Sequence, residues 1–203
     1  MGRGEASEER RAAIIAAAVR VLAREGITAT TTRKIAAEAE VNQAMIGYYF
    51  GSKDELLYAV LQEMMRSTAE IASATLPQSQ RFPEALAGAV EAFWAHVERA
   101  PELQVMQYEL TLYALRRPAS AWLAKSQYDG YCAVVAELIR GVCDATGETP
   151  AESPEALARF IVGGLDGLIL QFISDHDVER ARGDLRRLVA ATLALARGAV
   201  HVG

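Results

Sequence analysis

The stretch Thr31–Lys53, TTRKIAAEAEVNQAMIGYYFGSK, decides the fold of the N-terminal third of the chain. Apolar residues three to four apart around Ile35 predict a short helix from Thr32 to about Ala39. Asn42 is a preferred N-cap residue and predicts a second helix over Gln43 to Tyr49. Helices this short are unstable alone, so both must pack on a platform. Two short packed helices joined by a tight turn are the arrangement that inserts one helix into a DNA major groove.

The flanking segments supply that platform. Residues 1–7 read as a loose arm, and an apolar stripe then predicts a helix to about Glu25, with Gly26 in the position that commonly ends a helix. Ser52 is a suitable cap for a long helix from Lys53 to about Thr75, which is long enough to link two domains.

The remainder of the chain also shows helical spacing throughout. Leu76–Gln80 reads as a break, and no strand-like alternation or internal repeat is present. We therefore predict an all-α chain of about nine helices, of which three or four form a small N-terminal unit. The five further helices are predicted over residues 82–100, 102–117, 119–146, 154–176 and 179–200.

Charge is distributed unevenly along the chain. The formal net charge is −5, which argues against a protein that coats nucleic acid indiscriminately. Residues 1–66 nevertheless carry nine Lys/Arg and nine Asp/Glu, whereas the remainder carries twelve against seventeen. Contact with DNA is therefore expected through the first third alone.

Cysteine usage and hydropathy indicate a cytoplasmic protein. Cys132 and Cys143 on one helix would lie about 16 Å apart along its axis, too far to pair, and we read them as small buried side chains in a reducing compartment. The N-terminus is too charged for a secretory signal, and we expect no contact with a membrane because no apolar run approaches about 20 residues.

The string TTRKIAAEAEVN…YYFGSKDELL, placed after one N-terminal helix, resembles the TetR family of one-component transcriptional repressors. The specific resemblance covers about residues 10–60, and the rest is similar in length and helix pattern. It implies a helix-turn-helix DNA-binding domain over residues 1–53 and a larger helical ligand-binding and dimerisation domain over residues 54–203.

The resemblance also implies roles for individual residues. The first short helix would contact phosphates and sometimes a base, the start of the second would face base edges, and the lysine would bind a phosphate. Side-chain chemistry agrees, because Arg and Gln can read purine edges and Thr, Tyr and Lys can donate to phosphates. The implied DNA-binding residues are Thr31, Thr32, Arg33, Gln43, Ala44, Gly47, Tyr48, Tyr49 and Lys53.

Two positions depart from the commonest pattern of the family. Glu40 occupies a turn position that is usually Gly, and a positive φ there would cost about 1 kcal/mol. Gly47 replaces an aromatic residue often found in the middle of the second helix, and a mid-helix Gly costs about 1 kcal/mol. Both departures leave the exact set of DNA contacts open.

In the family, the C-terminal domain holds an inducer pocket. The middle helices here combine aromatic and flexible apolar residues with a few polar ones, which is the usual composition of a small-molecule site. For each residue taken singly, core packing is the alternative. The candidate pocket residues are Phe93, Trp94, Met106, Gln107, Tyr108, Glu109, Tyr113, Trp122, Gln127, Tyr128, Tyr131 and Phe172.

The last two helices read as a twofold dimer interface through a four-helix bundle, with packing inside one chain as the alternative. Gly163, Gly164 and Gly167 would allow close approach of another helix. A dimer would place two recognition helices about one helical turn of DNA apart on a near-palindromic operator. The candidate interface residues are Ile161, Leu165, Leu168, Ile169, Phe172, Leu185, Leu188, Val189, Thr192 and Leu195.

An enzyme is not expected. The three histidines, His96, His176 and His201, lack the i, i+4 spacing of a helical metal pair, and the Asp175–Asp177 segment reads as a solvated turn rather than a metal site. No Gly-rich phosphate loop, Gly-x-Ser-x-Gly or Cys-x-x-Cys motif is present, so no cofactor is expected.

Two hypotheses therefore stand. The first is a homodimeric repressor that binds a double-stranded DNA operator and is released by a small hydrophobic or amphipathic inducer, with coupling through the helix that begins at Lys53. The second is an all-helical ligand-binding or scaffold protein without DNA binding. Net acidity and Glu40 favour the second, whereas the intact Thr31–Arg33 and Lys53 oppose it.

Overall fold

The protein is described here from a computed structural model, which covers residues 3–74 and 81–199. These residues form nine α-helices and one short 3₁₀ turn at Pro118–Ser120, with no strand among them, which confirms the predicted all-α class. The helices are α1 (Arg3–Ala29), α2 (Thr32–Glu38), α3 (Gln43–Phe50), α4 (Lys53–Ser73), α5 (Phe82–Arg99), α6 (Pro101–Leu115), α7 (Ala121–Thr146), α8 (Pro154–Asp175) and α9 (Val178–Ala196).

Helix α1 differs from the prediction at its beginning. Residues 3–6 are helical, so the expectation of a loose arm over 1–7 is wrong for them. Gly4 weakens a helix only modestly, and Glu5 in the first turn is favoured by the positive end of the helix dipole. Gly26 interrupts the helix as expected, with φ 74°.

Most other boundaries lie within two residues of their predicted positions. The exception is the end of α9, which stops at Ala196, so the prediction that the last helix continues over residues 197–199 is wrong. The 3₁₀ turn occupies the start predicted for α7, because Pro118 fixes a tight turn before the helix begins at Ala121. The predicted break at Leu76–Gln80, the predicted helix end at Thr75 and the predicted end of the last helix at Val200 lie outside the described residues.

The chain forms two compact units. Unit 1 contains Met1–Met64 and Glu102–Gln127, and unit 2 contains Met65–Pro101 and Tyr128–Gly203. Thus α6 belongs with the helices of the N-terminal third, although it lies far from them in sequence. The assignment of DNA binding to residues 1–53 and ligand binding to 54–203 stays a prediction, because compactness does not assign function.

The core of unit 1 is built from the apolar stripes that the sequence predicts. Ile35 and Ile46 turn the inner faces of α2 and α3 towards α1 and α4, and Met106 brings α6 into the same cluster. The principal buried side chains of this cluster are Ile14, Val21, Leu22, Ile35, Ile46, Phe50, Leu56, Leu57, Val60, Met106 and Leu110.

Unit 2 centres on Trp94, whose side chain is fully buried. Its ring lies 5.5 Å from the ring of Phe172 on α8, and its Nε1 donates to Glu98 at 3.0 Å. Arg182 on α9 donates to both carboxylate oxygens of Glu98, at 2.8 and 2.7 Å. The paired Arg182 guanidinium lowers the pKa of Glu98, so the carboxylate stays ionised against the tryptophan.

Helices α8 and α9 pack closely at Gly164. A Cβ at this position would lie 2.4 Å from Cδ1 of Leu188, so glycine lets the Leu188 side chain pack directly against α8. By length and composition α8 could cross a membrane, contrary to the expectation that no segment would, although the core helix of a soluble protein passes the same test. Only 28% of its most apolar window is buried within the single chain.

The two cysteines lie on α7, and both are free and half-buried. Burial raises the pKa of each thiol, which disfavours the reactive thiolate.

Candidate nucleic-acid interface

The start of α2 presents its polar residues to solvent. Thr31 caps the helix by accepting from Lys34 N at 3.3 Å, as its sequence position predicts. Ile35 is buried on the opposite side, which leaves Thr31 and Arg33 exposed and Thr32 half-buried. Because Thr31 satisfies the N–H group of Lys34, the N–H groups of Thr32 and Arg33 are the first-turn donors left for a phosphate.

The turn between α2 and α3 is a Schellman motif centred on Glu40. Glu40 has φ 53°, its N–H donates to Ala37 O at 3.2 Å, and Val41 N donates to Ala36 O at 2.9 Å. These two bonds close the C-terminus of α2 in the way that glycine usually allows. The suspected positive φ is confirmed, and it holds the angle between the two helices at the cost of backbone strain.

We expect Glu40→Gly to raise the free energy of unfolding by about 1 kcal/mol, because glycine adopts positive φ without a Cβ clash. Chemical denaturation of both proteins measures the change. Glu38→Gly, inside α2, is the matched control and should destabilise, since its φ is helical and its carboxylate accepts from Arg20 at 2.8 Å. A destabilised Glu40→Gly would contradict the strain argument.

Helix α3 has one buried side and one solvent-facing side. Asn42 caps it by accepting from Ala44 N at 2.9 Å, and Ile46 and Phe50 are buried. The residues left exposed lie three to four apart on one face, and Tyr48 is 79% exposed. These solvent-facing residues are Gln43, Ala44, Gly47 and Tyr48.

The polar groups of α2 and α3 are already in contact with each other. Gln43 Nε2 donates to Thr32 Oγ1 at 3.2 Å, which places the amide beside the first turn of α2. Tyr49 is half-buried, and its hydroxyl accepts from Ser7 Oγ at 3.4 Å. Of the two tyrosines, Tyr48 is therefore the one fully available to a ligand on this face.

The cations around this face fall into two groups. Arg20 and Arg24 pair with Glu38, and Lys34 pairs with Glu25 at 2.6 Å. Arg33 is exposed and makes no ion pair within the described part of the chain. Its charge is thus available for a phosphate or a guanine edge.

Lys53 begins α4 and is half-buried. Its Nζ lies 3.4 Å from Thr30 O and 5.6 Å from the centroid of the Tyr113 ring. Burial, followed by the nearby Arg117 charge, lowers the pKa of Lys53. A bound anion would favour the charged ammonium here.

Helix α6 supports the interface through Glu109. Its carboxylate accepts from Ile27 N at 2.8 Å, directly after the interruption of α1 at Gly26. A Cβ on Gly26 would lie 2.9 Å from the same carboxylate, so the glycine also makes room for Glu109. Sequence reasoning assigned Glu109 to the ligand pocket and missed this contact, because the partners are 82 residues apart.

The candidate pocket residues fall in both compact units. Unit 1 contains the α6 residues and their α7 neighbours, which are Met106, Gln107, Tyr108, Glu109, Tyr113, Trp122 and Gln127. Unit 2 contains Phe93, Trp94, Tyr128, Tyr131 and Phe172. Trp94, Met106, Gln107, Gln127, Tyr131 and Phe172 are buried, whereas Trp122 is 39% exposed.

Unit 1 contains two buried amides with unpaired atoms. Gln104 Oε1 and Gln127 Nε2 have no hydrogen-bond partner, although the residues are only 3% and 1% exposed. Gln127 Oε1 is 2.9 Å from Thr111 Oγ1, and reversing the amide would only exchange which of its atoms is unpaired. Gln104 was not predicted, yet Gln104, Gln107 and Thr111 share helical spacing that a sequence search for polar stripes could find.

In unit 2, Tyr128 hydrogen-bonds Asp166 of α8. Burial, followed by the Asp166 charge, raises the pKa of Tyr128 to about 12. The Tyr128 hydroxyl therefore stays protonated at neutral pH and donates to the Asp166 carboxylate.

Half of the candidate dimer residues are buried within the single chain: Ile161, Ile169, Phe172, Leu185 and Thr192. Leu165, Leu168, Leu188, Val189 and Leu195 are half-buried. The large apolar residues that α8 leaves exposed are instead Phe160 and Leu170, with the open positions Gly163 and Gly167 between them. Sequence periodicity alone could not tell which apolar side of α8 faces its own core.

The Asp175–Asp177 segment is an exposed turn, as predicted. His176 has φ 56°, and Asp177 caps α9 by accepting from Arg180 N at 3.0 Å. No group of three or more His, Cys, Asp or Glu side chains suited to a metal occurs among the residues described, and His201 lies beyond them.

Two family models match the chain. The model for bacterial regulatory proteins of the tetR family matches residues 14–60, and the model for the tetracyclin repressor-like C-terminal domain matches residues 81–195. The first covers the interface described above, and the second covers α5 to α9.

Individual proteins are also similar to this chain over most of its length. The HTH-type nicotine-responsive transcriptional repressor HdnoR of Paenarthrobacter nicotinovorans is 27% identical over 186 residues, which are 91% of this chain and 94% of the relative. The crystal structure of the multidrug binding protein EbrR complexed with ethidium is 31% identical, with a TM-score of 0.64 and coverage of 89% of this chain and 98% of that one.

A lower-identity structure shares the fold. FadR from Bacillus subtilis, in complex with stearoyl-CoA, is 20% identical with a TM-score of 0.66, covering 93% of this chain and 98% of that one. The curated relatives are HTH-type transcriptional regulators, not enzymes, and HdnoR is described as nicotine-responsive. Since the matching models span both the N-terminal helices and more than half of the chain, the protein belongs to the TetR family of bacterial transcription regulators.

Proposed function

We propose that the protein is a cytoplasmic homodimeric repressor that binds a near-palindromic operator and leaves it when a small molecule binds. The observation that carries the proposal is the exposed face of α3, on which Gln43, Ala44, Gly47 and Tyr48 lie together. Buried Ile46 holds this face outwards. Arg33 on α2 and Lys53 at the start of α4, which make no ion pair among the described residues, lie on the adjoining helices. Base readout by α3 and phosphate binding by its neighbours follow from that arrangement.

A twofold dimer through α8 is supported by its incomplete burial. Phe160, Gly163, Gly167 and Leu170 are spaced by three, four and three residues, as on the contact face of a helix pair. A Cβ on either glycine would meet no atom within 4 Å, so a second helix has room to approach. We therefore place the centre of the interface on this face, beside the residues that the sequence suggested.

An uncharged, partly apolar inducer is supported by the interior of unit 1. The unpaired atoms of Gln104 and Gln127 are polar anchors within an apolar cluster, which is the usual composition of a small-molecule site. None of the buried polar side chains in the described residues carries a charge. A neutral or amphipathic molecule with its own hydrogen-bonding group therefore suits these amides better than a desolvated ion does.

Coupling of ligand and operator is proposed through α4 and α6. Helix α4 begins at Lys53, and α6 holds α1 through the contact of Glu109 with Ile27 N. A ligand on the buried side of α6 would select a conformation in which the two recognition helices no longer match the operator spacing.

The test is a binding experiment with the DNA upstream of the protein's own gene and with duplexes selected from a random pool. A repressor should bind as a dimer, with higher affinity for the selected duplex and a steep dependence on salt. A small molecule should then release it. Absence of selective, salt-sensitive binding would instead favour a ligand-binding or scaffold protein without DNA binding.

Two variants separate the proposed roles of the interface. Lys53→Ala should weaken binding to all duplexes by a similar factor, because a phosphate carries no sequence information. Gln43→Ala should reduce discrimination at particular base pairs by about 1–3 kcal/mol. Fluorescence anisotropy with selected and unrelated duplexes measures both. If Lys53→Ala and Gln43→Ala each lost the same affinity for the selected and the unrelated duplex, the proposed division into phosphate binding and base readout would be refuted.

A further inference from the structure

We propose that Arg117, just after α6 and outside the helix-turn-helix motif, binds the DNA backbone together with Lys53. The two side chains would form a paired cationic clamp on the DNA backbone beside each recognition helix. The inference rests on the proposed DNA-binding function and extends it to a residue from the C-terminal part of the sequence.

The geometry of the clamp depends on a shared aromatic ring. Arg117 Cζ lies 4.0 Å from the centroid of the Tyr113 ring, and Lys53 Nζ lies 5.6 Å from the same centroid. The two cationic centres are therefore separated by no more than the sum of these distances. Within that limit, two successive phosphates of one strand can each contact one of the two cations.

The ring that organises the cations is itself held in place. The Tyr113 hydroxyl donates to Asp54 Oδ1 at 3.3 Å, and Ser120 Oγ donates to Asp54 Oδ2 at 2.5 Å. Asp54 thus uses both oxygens on neutral partners rather than on Lys53 or Arg117. A guanidinium stacked on a fixed ring keeps its N–H edge free for a phosphate.

The backbone of Arg117 is equally constrained. Its N–H donates to Ala114 O at 3.1 Å, and its carbonyl accepts from Ser120 N at 2.9 Å. The following Pro118 favours the extended conformation that Arg117 adopts, with φ −128° and ψ 109°. The side chain therefore leaves a rigid turn, so little ordering entropy opposes phosphate binding.

The balance of charges around Lys53 and Arg117 favours the binding of an anion. Arg117 is exposed, and neither it nor Lys53 makes an ion pair within residues 3–74 and 81–199. Burial lowers the pKa of Lys53, the Arg117 charge lowers it further, and Asp54 opposes these effects less strongly. The chain thus leaves a repulsion between two cations that a bound phosphate would relieve.

A purely structural role, in which Arg117 only stacks on the Tyr113 ring, is the simpler explanation of its position. The experiment must separate that role from phosphate binding. Arg117→Ala removes the charge, Arg117→Lys keeps it, and Arg116→Ala is the control, because Arg116 is an adjacent exposed arginine without the ring contact. Each dimer is titrated with selected and unrelated duplexes at several salt concentrations, after thermal unfolding has shown that the variants fold.

For Arg117→Ala we expect about tenfold weaker binding on both duplexes, and a salt slope reduced by about one per subunit. Arg117→Lys should retain the slope, and Arg116→Ala should match the wild type. Wild-type affinity and slope in Arg117→Ala would overturn the inference and leave the proposed function standing. If the wild type itself shows no salt-dependent DNA binding, both the Arg117 inference and the proposed DNA-binding function are overturned.

Discussion

Replacing Leu170 by arginine should convert the proposed dimer into monomers and abolish operator binding. Leu170 is 47% exposed in the single chain and lies on the open face of α8 with Gly167. In a twofold dimer every substitution occurs twice across the interface. Two arginines buried there, at about 2 kcal/mol each, would raise the dimer dissociation constant about a thousandfold.

Loss of the dimer should also weaken binding to the operator DNA. A monomer can place only one recognition helix in one half-site, so the operator loses the second set of contacts and the spacing that selects it. We expect analytical ultracentrifugation to show a monomer and anisotropy to show only weak, unselective binding to the operator.

The matched control is Leu112→Arg, since Leu112 is similarly exposed at 52% but lies on α6. It should remain a dimer in the centrifuge. A Leu170→Arg protein that stays dimeric would move the interface away from this face of α8. A monomeric Leu112→Arg would show instead that an exposed arginine disrupts the assembly without regard to position.

Replacing Trp94 by alanine should cost about 3–5 kcal/mol of unfolding free energy, the range for large aromatic side chains in a core. Trp94 is fully buried, contacts Phe172 and donates to Glu98. Removing it leaves a cavity between α5 and α8, and Glu98 keeps only its Arg182 partner.

Trp122→Ala provides the matched control, because the chain has two tryptophans and this one is 39% exposed. Its ring packs 5.1 Å from that of Tyr58, so its loss should cost only about 1 kcal/mol. Chemical denaturation of both variants measures the difference. A Trp94→Ala protein as stable as Trp122→Ala would indicate that the Trp94 site tolerates a cavity, as a ligand pocket does.

Local signals in the sequence predicted the local structure well. Thr31 and Asn42 cap their helices as expected, and Glu55 N donates to Ser52 Oγ at 3.1 Å at the start of α4. Each of these interactions joins residues within four positions, so residue type and spacing are sufficient to predict them. The N-terminal arm was the exception, because helix propensity in the first residues gives no strong stop signal.

The amphipathic stripes predicted burial but not always the partner. Ile46 and Phe50 face the core of unit 1, as their spacing requires. For α8, apolar residues surround most of the helix, so the sequence could not separate the side that packs against Trp94 from the side left open. Only the tertiary structure assigns Phe172 to the first side and Leu170 to the second.

By itself the sequence determined an all-helical chain, the position of its two short N-terminal helices and the family to which their motif belongs, because these depend on residues close together along the chain. Only the tertiary structure decided that α6 joins the N-terminal helices, through Glu109 at Ile27 and Tyr113 at Asp54. These contacts span 82 and 59 residues, and no local pattern encodes which distant side chains will meet. The same packing brings Arg117 beside Lys53, where charge and geometry together favour a phosphate.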